Sequence, residues 1–230
     1  MTTSSESASG RGKGMPTYIA LDISKSMQKH EDLLNETLAK IVKELYLNPR
    51  VAEFVHLSIV TFSTAPTVVV RMTELTRMKQ MPVLRCHGGT RFGPLFELLR
   101  DRIDIDVPLL QDQGYRVVRP VVFLLTDGAP TDRPPSAWEE PHRALVDREW
   151  ERHPRVISFG FGDAVESILR RMSTVQTYMA DPALGDGTGA LPEAMNGMLS
   201  SMVASVQARE LRLPTEVAGY RVLSEDYVEQ

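Results

Sequence analysis

One cysteine, Cys86, stands in the whole 230-residue chain, so no intramolecular disulfide is possible. Stability has to come from a packed core, and a chain of this length can build one without covalent staples. Such sparse cysteine usage predicts a reducing compartment, the cytoplasm. No run of about 18 apolar residues occurs, so no membrane-crossing helix is expected. The opening MTTSSESASGRGKG has no apolar stretch and does not read as a signal peptide. Residues 1 to 14 are expected to be a disordered tail. A strong charge of one sign is also lacking: the formal net charge is -4, with no acidic or basic block. That argues against a general nucleic-acid binder. Three catalytic signatures are missing as well: the P-loop, the G-x-S-x-G elbow and the D-x-D-x-[TV] nucleophile motif. No cluster of Cys and His exists to make a soft metal centre.

What is present is an alternation of strand and helix patterns. Tyr18 to Leu21 is a short apolar run that ends in Asp22 and reads as a buried strand. After Ser26 the apolar positions Leu34, Leu38, Ile41, Val42 and Leu45 recur at helical spacing until Asn48-Pro49. Val55 to Phe62 and Thr67 to Met72 read as two strands joined by a link short enough for an antiparallel hairpin. A helix carrying Leu95, Phe96, Leu99 and Ile103 follows. The run Val121-Val122-Phe123-Leu124-Leu125 suits a central strand buried on both faces. A helix around Trp138 to Arg152, a strand at Val156 to Phe161, a short helix opened by a capping box at Asp163 to Glu166, a strand at Thr177 to Met179 and a helix at Leu191 to Val206 complete the pattern. The fold class expected is α/β: a Rossmann-like, doubly wound, mostly parallel six-stranded sheet with one antiparallel edge strand and helices on both faces. The domain is expected over residues 15 to 207. Residues 208 to 230 are expected to be an extension that packs back or a tail.

Three loops at predicted strand or helix ends carry oxygen ligands. They hold Asp22, Ser24 and Ser26 in the first, Thr90 in the second, and Asp127 in the third. Ligands of open parallel sheets bind beyond the carboxyl ends of the strands, where strand order reverses. If the first strand and the Val121 strand are neighbours there, these residues converge. Carboxylates and hydroxyls make a hard site, which favours Mg²⁺, with Mn²⁺ or Ca²⁺ as alternatives, over Zn²⁺. Simpler roles exist for single residues. Asp22 and Ser24 also suit helix caps, Gly88-Gly89 suits a turn, and Asp132 and Asp163 suit turn or cap positions. Trp138 reads as a rim anchor or as a half-buried helix residue, and Met195, Met198 and Met202 as core filler. Cys86 and His87 are adjacent, so in a strand they face opposite ways and make a poor catalytic pair.

The spacing D-x-S-x-S, the later Thr and the later T-D-G resemble the metal-ion-dependent adhesion site of von Willebrand factor A domains. The resemblance covers roughly residues 15 to 207. It implies that Ser24 and Ser26 are direct ligands, that Thr90 is a direct or water-mediated one, and that Asp22 and Asp127 act mainly through water. It further implies that an Asp, Glu or phosphate of a protein partner takes the remaining position. The segments Leu21 to Met27, Gly88-Gly89-Thr90 and Phe123 to Asp132 look like the bacterial tellurium-resistance TerY type, a compact stand-alone domain. Lys25 departs from the Gly that many such domains carry there. That resemblance implies an adaptor in stress or phospho-signalling, with a PP2C-type phosphatase and a Ser/Thr kinase as associates. Two alternatives remain open: a Mg²⁺-dependent hydrolase or phosphatase, and a substrate-presenting subunit of a chelatase-like ATPase.

Overall fold

The computed structural model describes residues 11–74, 82–184 and 189–223. Its centre is β1 (Arg11–Asp22), followed by a 3-10 turn over Lys25–His30 and the helices α1 (Glu31–Tyr46) and α2 (Pro49–Phe54). The hairpin of β2 (Val55–Phe62) and β3 (Pro66–Glu74) leads to α3 (Phe92–Asp112), β4 (Tyr115–Val117) and β5 (Val121–Thr126). Then come α4 (Glu139–Val146), β6 (Arg155–Gly160), α5 (Glu166–Met172), β7 (Gln176–Ala180), α6 (Ala190–Ala208) and β8 (Tyr220–Leu223).

Among the described residues the sheet has eight strands, in the order β3-β2-β1-β5-β6-β7-β8, with β4 pairing the start of β1. The expected class holds, a mostly parallel sheet with helices on both faces. Strand number and edges differ from the six strands and one antiparallel edge expected. β3 and β8 both close the sheet antiparallel. β4 and β8 have three and four residues, too short to leave a periodic signal.

β1 begins at Arg11, so residues 11 to 14 belong to the sheet and not to a tail. The Arg-Gly-Lys-Gly sequence lacks apolar alternation, and its strand form comes from pairing with β4. Residues 1 to 10 lie outside the described residues. Residues 209 to 223 pack back on the domain. Arg209 ends α6 at φ 54°, and the chain then runs back beside the helix. Ser201 Oγ donates to Arg212 O at 2.5 Å, Arg212 N donates to Ser205 Oγ at 2.9 Å, and Tyr178 Oη donates to Pro214 O at 2.6 Å.

Alternation along the central strands divides two cores. Ile19, Leu21, Phe123, Leu125 and Phe159 face α1, α2 and α6, where Met195, Met198 and Met202 are buried as core filler. Tyr18, Ala20, Val122 and Leu124 face α3, α4 and α5, together with Phe92, Phe96 and Trp138. Trp138 is buried, so it is no rim anchor.

From β1 the chain passes to β2 on one side and later crosses to β5 on the other. The reversal of strand order therefore falls between β1 and β5, which pair in parallel with Leu21 opposite Leu125. Asp22 and Thr126 are the last residues of these two strands.

Candidate metal centre

All five predicted residues meet at this switch point. Asp22 is fully buried, and its carboxylate is held from two loops. Oδ1 accepts the Ser24 amide at 2.7 Å, and Oδ2 accepts the Thr126 hydroxyl at 2.6 Å. Thr126 Oγ1 in turn accepts the Gly128 amide at 3.2 Å. The Ser24 and Ser26 hydroxyls lie 3.0 Å apart, and Ser26 Oγ donates to Asp127 Oδ1 at 2.6 Å. A Cβ on Gly128 would stand 3.3 Å from Thr90 Oγ1 and 3.5 Å from Ser26 Oγ. This small residue thus lets the hydroxyls of two loops approach the third. Ser24, Thr90 and Asp127 are buried, whereas Ser26 is exposed and marks the open side.

Backbone bonds fix the loops to one another. Ile23 N donates to Phe62 O at 2.8 Å, His87 N to Ile23 O at 2.7 Å, and Lys25 N to Gly88 O at 3.0 Å. Gly88 has φ 79°, a conformation that costs glycine little, and a Cβ there would come within 2.6 Å of Thr64 Oγ1. At Gly89 a Cβ would meet Thr131 Oγ1 at 2.6 Å. The Gly88-Gly89 step is therefore a geometric requirement of the loop that presents Thr90.

The residues that position Thr90 include Thr131, whose part the sequence did not suggest, and Asp132, expected at a turn or cap position but with no indication of which helix it caps. Thr131 Oγ1 accepts the Thr90 amide at 2.8 Å, and Thr131 N donates to Thr90 O at 2.8 Å. Asp132 is buried, and its carboxylate accepts the amides of Phe92 at 3.0 Å and Gly93 at 2.9 Å. It caps α3 from a distant loop, because the local cap position, Arg91, offers no side-chain acceptor. That mismatch was the available signal: a helix without a local cap needs an acceptor from elsewhere. Asp163 does not form the expected capping box. Val165 holds the cap position of α5, and the Asp163 amide donates to Asp127 O at 2.7 Å instead.

Burial pushes the Asp22 carboxyl up to about 6, against the opposing hydrogen bonds from Thr126 and Ser24. Burial also raises Asp127, opposed by the Ser26 hydrogen bond and by Lys29 and His30. Two neighbouring buried carboxylates held above their ordinary range favour a cation. Among the described residues no group of three or more His, Cys, Asp or Glu side chains converges. The donors at this centre are two carboxylates and three hydroxyls, an oxygen-only set that fits a hard divalent ion. Cys86, one loop away, is buried, and its thiol is pushed up to about 12, chiefly by burial. It stays protonated and belongs to the core, while His87 is exposed.

The fold is that of a von Willebrand factor A domain. Proximal thread matrix protein 1 from the mussel byssus, in a structure with a zinc-occupied MIDAS motif, superposes with a TM-score of 0.56 at 16% identity, over 84% of this chain and 49% of that one. The von Willebrand factor type A structure from Catenulispora acidiphila gives 0.52 at 17% identity, over 83% of this chain and 43% of that one. The pilus adhesin SpaC of Lactobacillus rhamnosus GG, in its open conformation, gives 0.62 at 13% identity, over 84% and 30%. The chain spans about half the length of the mussel protein and less of the other two. No protein-family model matches the sequence, and no curated protein matches it. Among the described residues no helix is long and apolar enough to cross a membrane.

Proposed function

We propose that the chain is a metal-dependent protein-binding module. Asp22, Ser24, Ser26, Thr90 and Asp127 hold one divalent cation, Mg²⁺ or Mn²⁺ in the first instance, and the cation grips an acidic group of a partner. The observation that carries this reading is the convergence of three loops on a small oxygen-only centre, with Ser26 at its open side and bonded to Asp127 at 2.6 Å. Neutral hydroxyls cancel little of the ion's charge, so a bound Mg²⁺ keeps a strong attraction for an external carboxylate or phosphate. This chain's part is to orient the hydroxyls, to keep the two carboxylates buried beneath them, and to leave the Ser26 side open. The zinc in the mussel protein's motif supports a metal at this place in the fold and puts Zn²⁺ among the ions to compare.

The finer reading is an adaptor of the TerY type in a bacterial stress or phospho-signalling system, in the cytoplasm, with a PP2C-type phosphatase and a Ser/Thr kinase as associates. It is supported by the residue matches around Asp22, Thr90 and Asp127. The role is binding, and the purified protein is expected to turn over no phosphate or acyl ester. Calorimetry with Mg²⁺, Mn²⁺, Ca²⁺ and Zn²⁺ tests the centre. Affinity should fall at least about tenfold in Asp127→Ala, and unchanged affinity there and in Asp22→Ala would remove the site. Partner capture in Mg²⁺ against EDTA tests the grip: binding should vanish in EDTA and return with Mg²⁺. Undiminished capture by a folded protein in EDTA would exclude recognition through the metal.

A further inference from the structure

At the amino ends of β5, β6 and β7, opposite the metal loops, lies a cavity of about 830 Å³. Arg119 precedes β5, Arg155 opens β6, Arg171 lies near the end of α5, and Arg148 follows α4; all four line the cavity. No Asp or Glu lines it. Elsewhere several arginines are spent on acidic partners, Arg85 on Glu31, Arg102 on Asp106, Arg152 on Asp104 and Arg221 on Glu166. In the cavity only Arg171 has such a partner, Glu139 at 2.9 Å. Among the described residues Arg119, Arg148 and Arg155 make no ion pair or side-chain hydrogen bond. The carboxyl ends of α4 and α5 lie on this side, and two short helix dipoles together offset roughly one charge. Three unpaired guanidiniums exceed that.

We infer that this cavity is an anion site for a phosphate monoester, separate from the metal centre. The physical reason is the match between donor and ligand. Each guanidinium offers a planar fork of N–H donors, and a phosphate monoester offers a dianion with three acceptor oxygens. The arginines are the cationic side chains of the lining, and several of its other polar groups are already engaged, His153 Nδ1 with Trp150 O at 2.8 Å among them. Ser173 Oγ is already bound to Leu169 O at 3.0 Å, and His142 Nε2 to Met172 O at 2.9 Å. The volume exceeds one phosphate and leaves room for the group that carries it, within the usual range of small-ligand sites. A bounded cup on a chain of net charge -4 suits one phosphoryl group better than a nucleic-acid backbone.

The test uses the full chain in EDTA, so that a metal-bound phosphate cannot contribute. Calorimetry is run with inorganic phosphate, adenosine monophosphate, a phosphoserine peptide and its unphosphorylated twin. Saturable binding of at least one phosphate probe, and none of the unphosphorylated peptide, is expected. Arg119→Gln and Arg155→Gln should each weaken it roughly tenfold, as loss of a charge-assisted contact does. Asp127→Ala should leave it unchanged, so this inference and the metal reading fail independently. Arg155 is half-buried; if its variant unfolds, the pair Arg119→Gln and Arg148→Gln, both exposed, carries the test. Equal affinity for inorganic phosphate and the peptide assigns a small anion, and affinity for the phosphopeptide alone assigns a phosphorylated segment of a partner. Absence of saturable binding by every phosphate probe, or binding undiminished in the folded double variant, overturns the inference.

Discussion

The Thr126 hydroxyl donates to Asp22 Oδ2 at 2.6 Å, across the ends of two neighbouring parallel strands. Together with the Ser24 amide it hydrogen-bonds a fully buried carboxylate. Those bonds do not offset the burial, so the group titrates at about 6 when folded, against an ordinary 3.8.

The first prediction follows from the sign of that shift. A carboxyl with a raised folded pKa binds its proton more tightly in the folded chain. Its favourable contribution is complete below the unfolded value of 3.8 and is lost as pH rises through the folded value of about 6. The loss is on the order of 3 kcal/mol across the window. Metal-free Asp22→Asn should therefore melt higher than the unaltered chain at neutral pH, and the difference should shrink toward pH 4. On the proposed metal reading the same variant should also lose the stabilisation expected from Mg²⁺, about 2.7 kcal/mol at a hundredfold excess over Kd. Thermal melts across this pH range, in EDTA and in Mg²⁺, check both parts. A variant that melts below the unaltered chain at neutral pH in EDTA would refute the burial argument.

The second concerns Asp132. Its carboxylate takes the first two amides of α3, two residues from Thr90. Asp132→Ala should cost about 1–2 kcal/mol in denaturant unfolding, as loss of a helix cap does. It should also weaken cation binding severalfold, because Thr90 sits on the turn that this cap holds. Lower stability with unaltered affinity would mean that the cap serves the helix alone.

The third concerns Cys86. A buried thiol pushed up to about 12 is protonated at neutral pH, and the thiolate is the reactive form. Labelling by a disulfide reagent should be slow in the native chain and complete in denaturant. Rapid native labelling at pH 7 would contradict the buried, neutral state.

How much was legible in the sequence depends on whether a residue's partner is near it in the chain. The central strand at Val121 to Leu125 declared itself, because burial on both faces leaves an unbroken apolar run. The convergence of Asp22, Ser24, Ser26, Thr90 and Asp127, the proposed metal residues, was readable because each lies at or near the end of an element that the pattern had already placed. β8 was not readable: in Tyr220–Leu223 only the first and last residues are buried, and its strand form is set by β7. The same holds for Arg11 to Gly14, whose pairing with β4 has no local signature. Asp132 suggested a cap, but its helix begins 40 residues earlier in the chain, and no spacing rule reaches that far. Asp163 suggested a capping box by its spacing from Glu166, yet the chain there turns to support Asp127, and a tertiary contact overrode the local preference.

The return of the chain after α6 has a mechanical consequence. Tyr220 Oη is bonded to Ala190 O at the start of the helix, at 2.8 Å, and Ser201 and Ser205 are bonded to Arg212 toward its end. The helix is a beam pinned at both ends, and one of the pins, Tyr220, belongs to the strand that closes the sheet. A slide by one helical turn, about 5.4 Å, would break all of these bonds together and pull β8 from its place. On the proposed binding reading, whatever follows from docking has to travel by some route other than the stroke of this last helix.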